Sequence, residues 1–255
     1  MSIAVSCVVP TRDRAALVGE AIASALGQGD EVALEVIVVD DGSRDDTAAV
    51  LARFGRDIRV IRTAGLGVAA ARNAGLAAAR GAFVAFLDSD DRWYAHKLAL
   101  QLERMRREPA LALAFTDYTL SERDGAGWKV VATRRHQGEL TLTRLLERNF
   151  VGTLTVLARR EVLTALGGFE PSLMRGSDYD LWLRVRRRHA IARVPEVLAD
   201  YRWHAASLTG ASRVRNRQNH IDVIERLAGV DPGMFQACGA DAAEILARAR
   251  ERLAS

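Results

Sequence analysis

Short apolar runs alternate with longer amphipathic stretches from the start of the chain to about residue 117. The apolar runs predict buried strands at 3–9, 34–39, 58–61, 81–87 and 111–116. The stretches between them predict helices at 14–26, 43–54, 67–79 and 95–107. Repeated strand–helix units of this length imply an α/β fold with a largely parallel sheet and helices on both faces.

The pattern changes after residue 117. A turn signal at 124–127 separates the short stretches 118–120 and 128–131, which predicts a hairpin. Further on, the pattern predicts helices at 140–148, 160–166 and 177–188 and strands at 153–157 and 194–203. Beyond Leu208 the chain is helical in pattern and basic at its start, and we expect a C-terminal appendage over 209–255.

Composition narrows the class of protein. A chain of 255 residues with 49% hydrophobic content can bury a sizeable core, and its interspersed charges exclude a disordered or fibrous protein. The net charge of +4 suits anionic small molecules, an acidic membrane surface or nucleic acid, but no zinc-finger spacing or basic aromatic strand supports nucleic acid. With only Cys7 and Cys238, a disulfide framework is not expected, and a reducing cytosol is the default. The amino terminus has no signal-peptide pattern, and no apolar run reaches the roughly 20 residues of a membrane helix, so we expect a soluble cytoplasmic protein.

An acidic run follows the fourth predicted strand. Asp88, Ser89, Asp90 and Asp91 lie at its carboxyl end, where open α/β sheets bind ligands. Two aspartates one residue apart suit a hard divalent cation that phosphates can also bridge. The alternative is a solvated acidic turn that caps the next helix.

A second acidic turn, Asp40-Asp41-Gly42-Ser43, ends the second predicted strand. The carboxylate of Asp41 is placed to accept a hydrogen bond from an N–H group of a nucleotide base. The spacing of Ser43 and Asp46 also predicts a capping box at the start of the next helix. The two interpretations are compatible, because the cap uses Ser43 and leaves Asp41 free.

Arg72 lies in a helix of small residues that begins after Gly67. Its guanidinium would suit a phosphate, and the alternative is a solvated surface arginine. The glycine-rich dinucleotide fingerprint is absent after the first strand, where the chain is Val9-Pro10-Thr11-Arg12-Asp13, and there is no Walker A loop.

The predicted helix at 177–188 carries a candidate base. Ser177 and Asp180 have capping-box spacing, and Asp180 lies four residues before Arg184, which predicts a surface ion pair. Asp178 then remains as the candidate general base, or as an acid that only complements the helix dipole.

His204 follows the last predicted strand, so it could reach a metal or phosphates, or simply be a packed or surface histidine. The basic run at 184–189 is a solvated helix face or a patch for a membrane or an acidic acceptor. The tail residues Arg213, Arg215 and Arg217 leave two alternatives open: contact with an acceptor or a membrane surface, or a helix that packs on the core.

Seven segments in this order and spacing resemble the inverting family 2 glycosyltransferases, which use nucleotide sugars and have the GT-A fold. They cover roughly residues 3–207 and are Val8–Thr11, Val38–Ser43, Ala71–Gly75, Phe86–Asp91 with Trp93 and Lys97-Leu98, Gly167–Phe169, Ser177–Arg184 and Tyr201–His204. Two positions depart from the family pattern, since Ser177 stands where a glutamate is usual and Ala95 where a proline is common.

The resemblance implies a GT-A, Rossmann-like α/β/α sandwich with a mixed, mostly parallel central sheet and a C-terminal helical appendage. It implies a catalytic domain over 1–208, with a nucleotide-binding half at 1–117 and an acceptor-binding half at 118–208. The donor would be a UDP-, GDP- or dTDP-sugar and the acceptor a carbohydrate or a lipid-linked molecule, in the synthesis of cell-surface polysaccharide or glycoconjugate. We then expect a cytoplasmic protein, either free or in peripheral contact with the inner face of the cell membrane.

The resemblance also implies roles for single residues. The nucleotide sugar would be bound by Pro10, Thr11, Asp41, Arg72, Asp88 and Ser89, with Asp41 on the base. Asp90, assisted by His204, would hold Mg²⁺ or Mn²⁺ on the diphosphate. Asp178 would be the catalytic base.

Two other classes share some of these features. A sugar-phosphate nucleotidyltransferase would have the same α/β layout and metal, but it should carry a glycine-rich basic loop after its first strand. A non-catalytic module that binds nucleotide sugars would keep Asp41 and Asp90 without a base at Asp178.

Overall fold

One mixed sheet with helices on both faces forms the body of the chain. The computed structural model describes residues 3–30, 32–125, 127–204, 213–239 and 241–254, and of residues 213–217, 252 and 254 only the backbone. The strands are β1 Val5–Thr11, β2 Leu34–Asp40, β3 Ile58–Arg62, β4 Phe83–Phe86, β5 Arg92–Trp93, β6 Leu111–Asp124, β7 Gly127–Arg134, β8 Leu157–Arg159 and β9 Ala190–Trp203. The helices are α1 Val18–Leu26, α2 Thr47–Ala52, α3 Val68–Ala78, α4 Lys97–Arg107, α5 Leu142–Glu147, α6 Arg160–Ala165, α7 Ser177–Arg188, α8 Arg213–Val230, α9 Gly233–Gln236 and α10 Ala242–Ala254.

The strand order places the candidate residues on one edge of the sheet. Within the described chain the order is β3-β2-β1-β4-β8-β6-β9-β5, with β7 paired to β6. The strands β1 to β4 run parallel to one another, β8 is antiparallel to both β4 and β6, and β9 is parallel to β6. The predicted mixed, mostly parallel sheet is therefore confirmed, and the carboxyl ends of β1, β2 and β4 meet at a common edge.

Both faces of the sheet are buried. On β1, Val8 packs on the same side as α3, α5 and α7, while Cys7 and Val9 pack on the side of α1 and α4. Side chains that alternate between two covered faces explain why these strands are continuous apolar runs. The three-layer α/β/α arrangement follows from this packing.

The first helix begins four residues later than the sequence pattern predicts. Helix α1 begins at Val18 and not at Arg14, because the backbone N–H groups of Arg14 and Ala15 bond to the side chains of Thr47 and Asp45 at 2.9 and 3.0 Å. These bonds hold the start of the segment in a loop against the start of α2.

The predicted capping box of Ser43 and Asp46 is wrong. Helix α2 begins at Thr47, and its flanking Asp46 makes no side-chain cap. The Ser43 hydroxyl instead accepts a hydrogen bond from the backbone N–H of Asp13 at 3.0 Å. Ser43 therefore joins the loops after β1 and β2.

The predicted strand at 153–157 is also wrong in its first part. Residues Thr153–Thr155 form a 3-10 helix, and β8 follows at Leu157–Arg159. The backbone N–H and the hydroxyl of Thr155 both bond to the carbonyl of Gly152, at 2.9 and 2.6 Å. These local bonds replace the ladder bonds of a strand.

The predicted hairpin is present, but its first arm is the continuation of β6. The first half of β6 pairs with β8 and the second half with β7, while β9 pairs along the other edge. The hairpin therefore extends the central sheet at the end where His204 follows β9.

The C-terminal helices pack on the core. In α8 the side chains of Val223, Ile224 and Leu227 are buried in the same cluster as α7. This arrangement agrees with the packing alternative for the described part of the tail. The boundary at Leu208 and the side chains of Arg213, Arg215 and Arg217 lie outside the described residues. Among the described helices, none combines the length and the apolar character that a membrane span requires.

Candidate active site

The site lies where β1, β2 and β4 end. The backbone N–H of Asp41 bonds to the carbonyl of Thr11 at 2.8 Å, and the N–H of Leu87 bonds to the carbonyl of Val8 at 3.0 Å. These bonds continue the parallel ladders by one residue and bring the ends of the three strands side by side. Pro10 and Thr11 are buried at the end of β1, and no hydrogen-bond partner of the Thr11 hydroxyl lies among the described residues.

Asp41 organises the loop between β3 and α3. Its carboxylate accepts hydrogen bonds from the hydroxyl of Thr63 at 2.6 Å and from the backbone N–H groups of Leu66 and Gly67 at 2.8 and 2.7 Å. Burial would raise the pKa of Asp41, but these hydrogen bonds outweigh it and hold the pKa below its usual value. Asp41 is therefore a fixed carboxylate at the wall of the site, and its contact with a base stays a prediction.

Arg72 is a buried cation of the site. It is only 6% exposed, so the interpretation as a solvated surface arginine is wrong. Its Nη2 donates to Asp88 Oδ1 at 2.7 Å, and its guanidinium lies 5.4 Å from the centroid of the Phe169 ring. Burial lowers the pKa of Arg72, but the charges of Asp88 and then Asp178 raise it above its usual value, so both carboxylates act on one guanidinium.

Asp90 and His204 meet although they are 114 residues apart in the chain. His204 Nε2 lies 3.1 Å from Asp90 Oδ2, and Arg14 Nε lies 3.7 Å from the same oxygen. Burial raises the pKa of Asp90, and the charge of Asp88 raises it further against the opposing effects of Arg14 and His204. Burial and the neighbouring Asp88 thus both disfavour the charged form of Asp90.

This arrangement fits a divalent cation. A carboxylate oxygen and an imidazole nitrogen are both ligands for Mn²⁺, and the carboxylate also suits Mg²⁺. Among the described residues no three His, Cys, Asp or Glu side chains form a complete metal cluster. The pair of Asp90 and His204 could therefore supply part of the ligand set of such a cation.

Asp91 and Ser89 complete the acidic run. Asp91 is 1% exposed, and its Oδ1 accepts the backbone N–H of Arg202 at 2.8 Å. Burial, followed by the charges of Asp90 and Asp88, raises the pKa of Asp91 well above its usual value. Asp91 thereby attaches the end of β9, which precedes His204, to the acidic run. Ser89, two residues before Asp91, is also buried.

Asp178 lies in the first turn of α7, close enough to Arg72 for its charge to raise the pKa of that residue. Its Oδ2 accepts a hydrogen bond from the hydroxyl of Thr153 at 2.7 Å, and the residue is partly exposed. A partly exposed carboxylate is a group that can accept a proton, and the role of Asp178 as the base stays a prediction.

The predicted capping box at the start of α7 is wrong. Gly176 flanks the helix in the left-handed region, with φ of 76°, and no side chain caps it. The predicted pair of Asp180 with Arg184 is present, but it is buried and not on the surface. Asp180 is fully buried and binds Arg184 at 2.6 Å and, from the C-terminal helices, Arg226.

Three residues that support the site were given no functional role by the sequence analysis. Thr153 holds Asp178, and Arg14 lies beside Asp90. Asn73 holds the backbone of Phe169 through two hydrogen bonds, at 2.7 and 2.8 Å. None of these residues lies beside its partner in the chain, and Thr153 fell within a predicted strand, so no local signal pointed to their roles.

Comparison with known proteins finds one matching family and several relatives of similar sequence. The family model described as "Glycosyl transferase family 2" matches residues 6–166. A protein named for teichuronic acid biosynthesis, the glycosyltransferase TuaG of Bacillus subtilis (strain 168), is 34% identical over 221 residues, which cover 80% of this chain and 85% of that protein. The UDP-Glc:alpha-D-GlcNAc-diphosphoundecaprenol beta-1,3-glucosyltransferase WfgD of Escherichia coli is 29% identical over 225 residues, which cover 86% of this chain and 85% of that protein.

Two solved structures share the fold. S. aureus TarS 1-349 in complex with UDP-GlcNAc has a TM-score of 0.72 at 19% identity, and the match covers 98% of this chain and 72% of that one. The mannosyltransferase PcManGT from Pyrobaculum calidifontis, in complex with GDP-Man and Mn²⁺, has a TM-score of 0.66 at 21% identity and covers 99% and 70%. These likenesses confirm the expected GT-A fold.

Proposed function

The chain belongs to glycosyl transferase family 2 and is a glycosyltransferase, and on that premise we propose that it moves a sugar from a nucleoside-diphosphate sugar to an acceptor hydroxyl with inversion. The transfer is a single displacement assisted by Mg²⁺ or Mn²⁺. The donor is a UDP-, GDP- or dTDP-sugar, and the acceptor is a carbohydrate or a lipid-linked molecule.

One observation carries this proposal. The pair of Asp90 with His204 and the pair of Arg72 with Asp88 lie at the same sheet edge, and the charge of Asp178 acts on that same Arg72. A cation-binding pair, a buried guanidinium and a separate carboxylate are the groups that transfer from a diphosphate needs. The first two act on the leaving group and the third acts on the incoming hydroxyl.

Asp90 and His204 hold the diphosphate end of the donor in this proposal. Their cation would neutralise the charge that develops on the leaving nucleoside diphosphate, acting as a Lewis acid. Arg72 adds a fixed positive charge, and Asp88 and Ser89 line the same loop. Asp41, Pro10 and Thr11 lie toward the nucleoside, at the ends of β2 and β1.

Asp178 acts as the general base. Its carboxylate takes the proton of the acceptor hydroxyl while the oxygen attacks the sugar carbon from the face opposite the leaving group. The hydroxyl becomes more acidic as the new bond forms, so a carboxylate is a sufficient base. Asp180 is buried in ion pairs with Arg184 and Arg226 and has a structural role.

The similar proteins suggest a setting for this reaction. The names of TuaG and WfgD refer to teichuronic acid synthesis and to transfer onto a diphosphoundecaprenol-linked sugar. We place the activity of this chain in the synthesis of cell-surface polysaccharide or glycoconjugate, in the cytoplasm or at the inner face of the cell membrane. We assign residues 1–117 as the nucleotide-binding half, residues 118–208 as the acceptor-binding half and 209–255 as the appendage in this proposal.

The test has two stages. A thermal-shift panel of UDP-, GDP- and dTDP-sugars, with Mn²⁺, Mg²⁺ or EDTA, should find a donor that raises the unfolding temperature only with a cation, since a ligand of the folded state stabilises it. Glycosyl transfer from that donor is then measured with carbohydrate and lipid-linked acceptors, and the anomeric configuration of the product is read by NMR. A product with retained configuration, or donor binding that is equal in EDTA, would contradict the proposal.

A further inference from the structure

The candidate base is held by a hydroxyl from a segment that buried side chains fix in place. On the premise that Asp178 is the base of the proposed transfer, we propose that Thr153 is its positioning residue. We further propose that Trp93, Lys97 and Gln101 hold the segment 154–156 so that the base keeps its place relative to the acidic run.

The contact of Thr153 with Asp178 has the geometry of a positioning bond. The hydroxyl donates to Oδ2 at 2.7 Å, and Thr153 is 5% exposed while Asp178 is partly exposed. A hydrogen bond to a charged acceptor inside a protein is stronger than one between neutral groups. It fixes the rotation of the carboxylate and engages one oxygen, so that the other is presented to the acceptor hydroxyl.

The segment after Thr153 is held by its carbonyl groups. Trp93 Nε1 donates to the carbonyl of Leu154 at 2.7 Å, and Gln101 Nε2 donates to the carbonyl of Thr155 at 2.8 Å. Lys97 Nζ lies 3.5 Å from the next carbonyl, that of Val156. Three consecutive carbonyls thus have donors from one stretch of chain, which follows directly after Asp91.

The three donors form one buried cluster. Trp93 is 2% exposed, and Lys97 and Gln101 are fully buried. Lys97 Nζ donates to Gln101 Oε1 at 2.8 Å and lies 4.3 Å from the centroid of the Trp93 ring. Gln101 Nε2 also donates to the carbonyl of Ala114 on β6, so the cluster is anchored to the sheet.

These contacts form a continuous link between the two halves of the site. The acidic run leads into β5 and α4, whose side chains hold residues 154–156, and the neighbouring Thr153 holds Asp178. A carboxylate displaced by about 1 Å can lose about two orders of magnitude in rate, so such a link has a catalytic consequence. It also accounts for a lysine and a glutamine in the core, where neither is usual.

The test uses Thr153→Val, which keeps the shape and removes the hydroxyl. We expect kcat to fall on the order of 10- to 100-fold, the effect typical of a lost hydrogen bond to a charged group, with the donor KM unchanged. Thr153→Ser should restore most of kcat. Thr116→Val is the matched control, because Thr116 is a buried threonine on β6 whose hydroxyl has no partner among the described residues, and its kcat should stay within twofold.

A double variant separates this proposal from the proposed function. In the Asp178→Asn background, Thr153→Val should have no further effect on kcat, because Thr153 acts through that carboxylate. An equal loss in both backgrounds, a Thr153→Val enzyme with kcat within twofold of the parent, or no rescue by serine would overturn the positioning role. An active Asp178→Asn enzyme would instead overturn the base assignment, and no transfer by the unaltered protein with any donor would overturn the proposed function itself.

Discussion

Lys97 is a fully buried amine without a carboxylate partner among the contacts described for it, and this predicts an unusual dependence of stability on pH. Its Nζ bonds to an amide oxygen of Gln101 and lies over the ring of Trp93. Burial lowers its pKa from 10.5 to about 7, against a smaller opposite effect of Cys7. Replacement of the lysine by methionine in Lys97→Met removes the titrating group and keeps a side chain of similar length.

The sign follows from proton binding in the two states. Between pH 7 and pH 10.5 the unfolded chain binds a proton at Lys97 that the folded chain has released, so the stability of the parent rises with pH over this window. The destabilising effect of the charge is fully present below pH 7 and fades above it. The unfolding free energy of the parent minus that of Lys97→Met should rise by about 2 kcal/mol between pH 7 and pH 9. This follows because one bound proton changes the unfolding free energy by at most about 1.4 kcal/mol per pH unit.

Urea unfolding of both proteins at half-unit steps from pH 6 to pH 9 measures this difference. Cys7 does not affect this comparison between pH 7 and pH 8. Burial raises its pKa from 9.0 to about 12, so its titration lowers the stability only from about pH 9 upward. A difference that stays constant between pH 7 and pH 9 would refute the reasoning, since it would mean that Lys97 keeps its ordinary pKa in the fold.

Three further predictions concern the site and its support. Asp90→Asn should weaken binding of a nucleoside diphosphate strongly in Mn²⁺ but not in EDTA, measured by calorimetry, and equal affinity of the parent in both conditions would exclude the cation. Asp178→Asn should lower kcat by roughly 10²–10⁴-fold at unchanged donor binding. Asp180→Asn should keep most activity and lower the unfolding free energy by about 2 kcal/mol, because the buried side chain loses the charge that accepts hydrogen bonds from Arg184 and Arg226. The reverse pattern of losses would exchange the two roles. Gly168→Ala should cost about 2 kcal/mol in urea unfolding, because φ is +71° and a Cβ would lie 2.5 Å from a side-chain oxygen, while Gly229→Ala, in open space on α8, should not destabilise the protein.

The sequence alone predicted the parallel half of the sheet and the edge that carries the site. Buried parallel strands are short apolar runs, and a run rich in aspartate follows both β2 and β4, so the ends of these two strands could be located from local pattern. Because the carboxyl ends of parallel strands share an edge, the pattern of strands and turns is enough to place Asp41 and Asp88 near each other. Element bounds were less accurate at 14–18, where side chains at and just before the start of α2 bind the backbone, and at 153–157, where Thr155 bonds locally to Gly152.

The partners of the functional side chains were decided by the tertiary structure. Local spacing favoured a capping box for Ser177 and Asp180, yet Asp180 turns inward because α8, far along the chain, brings Arg226 to it. Asp90 meets His204 because β9 pairs with β5, which directly follows the acidic run. Asp178 meets Thr153 because the fold brings the start of α7 to the 3-10 helix, 25 residues earlier in the chain. Sequence spacing predicts what lies on one face of a helix or strand, within a few residues. Which carboxylate is buried, paired or left open depends on contacts between segments tens to more than a hundred residues apart, and packing alone brings these together.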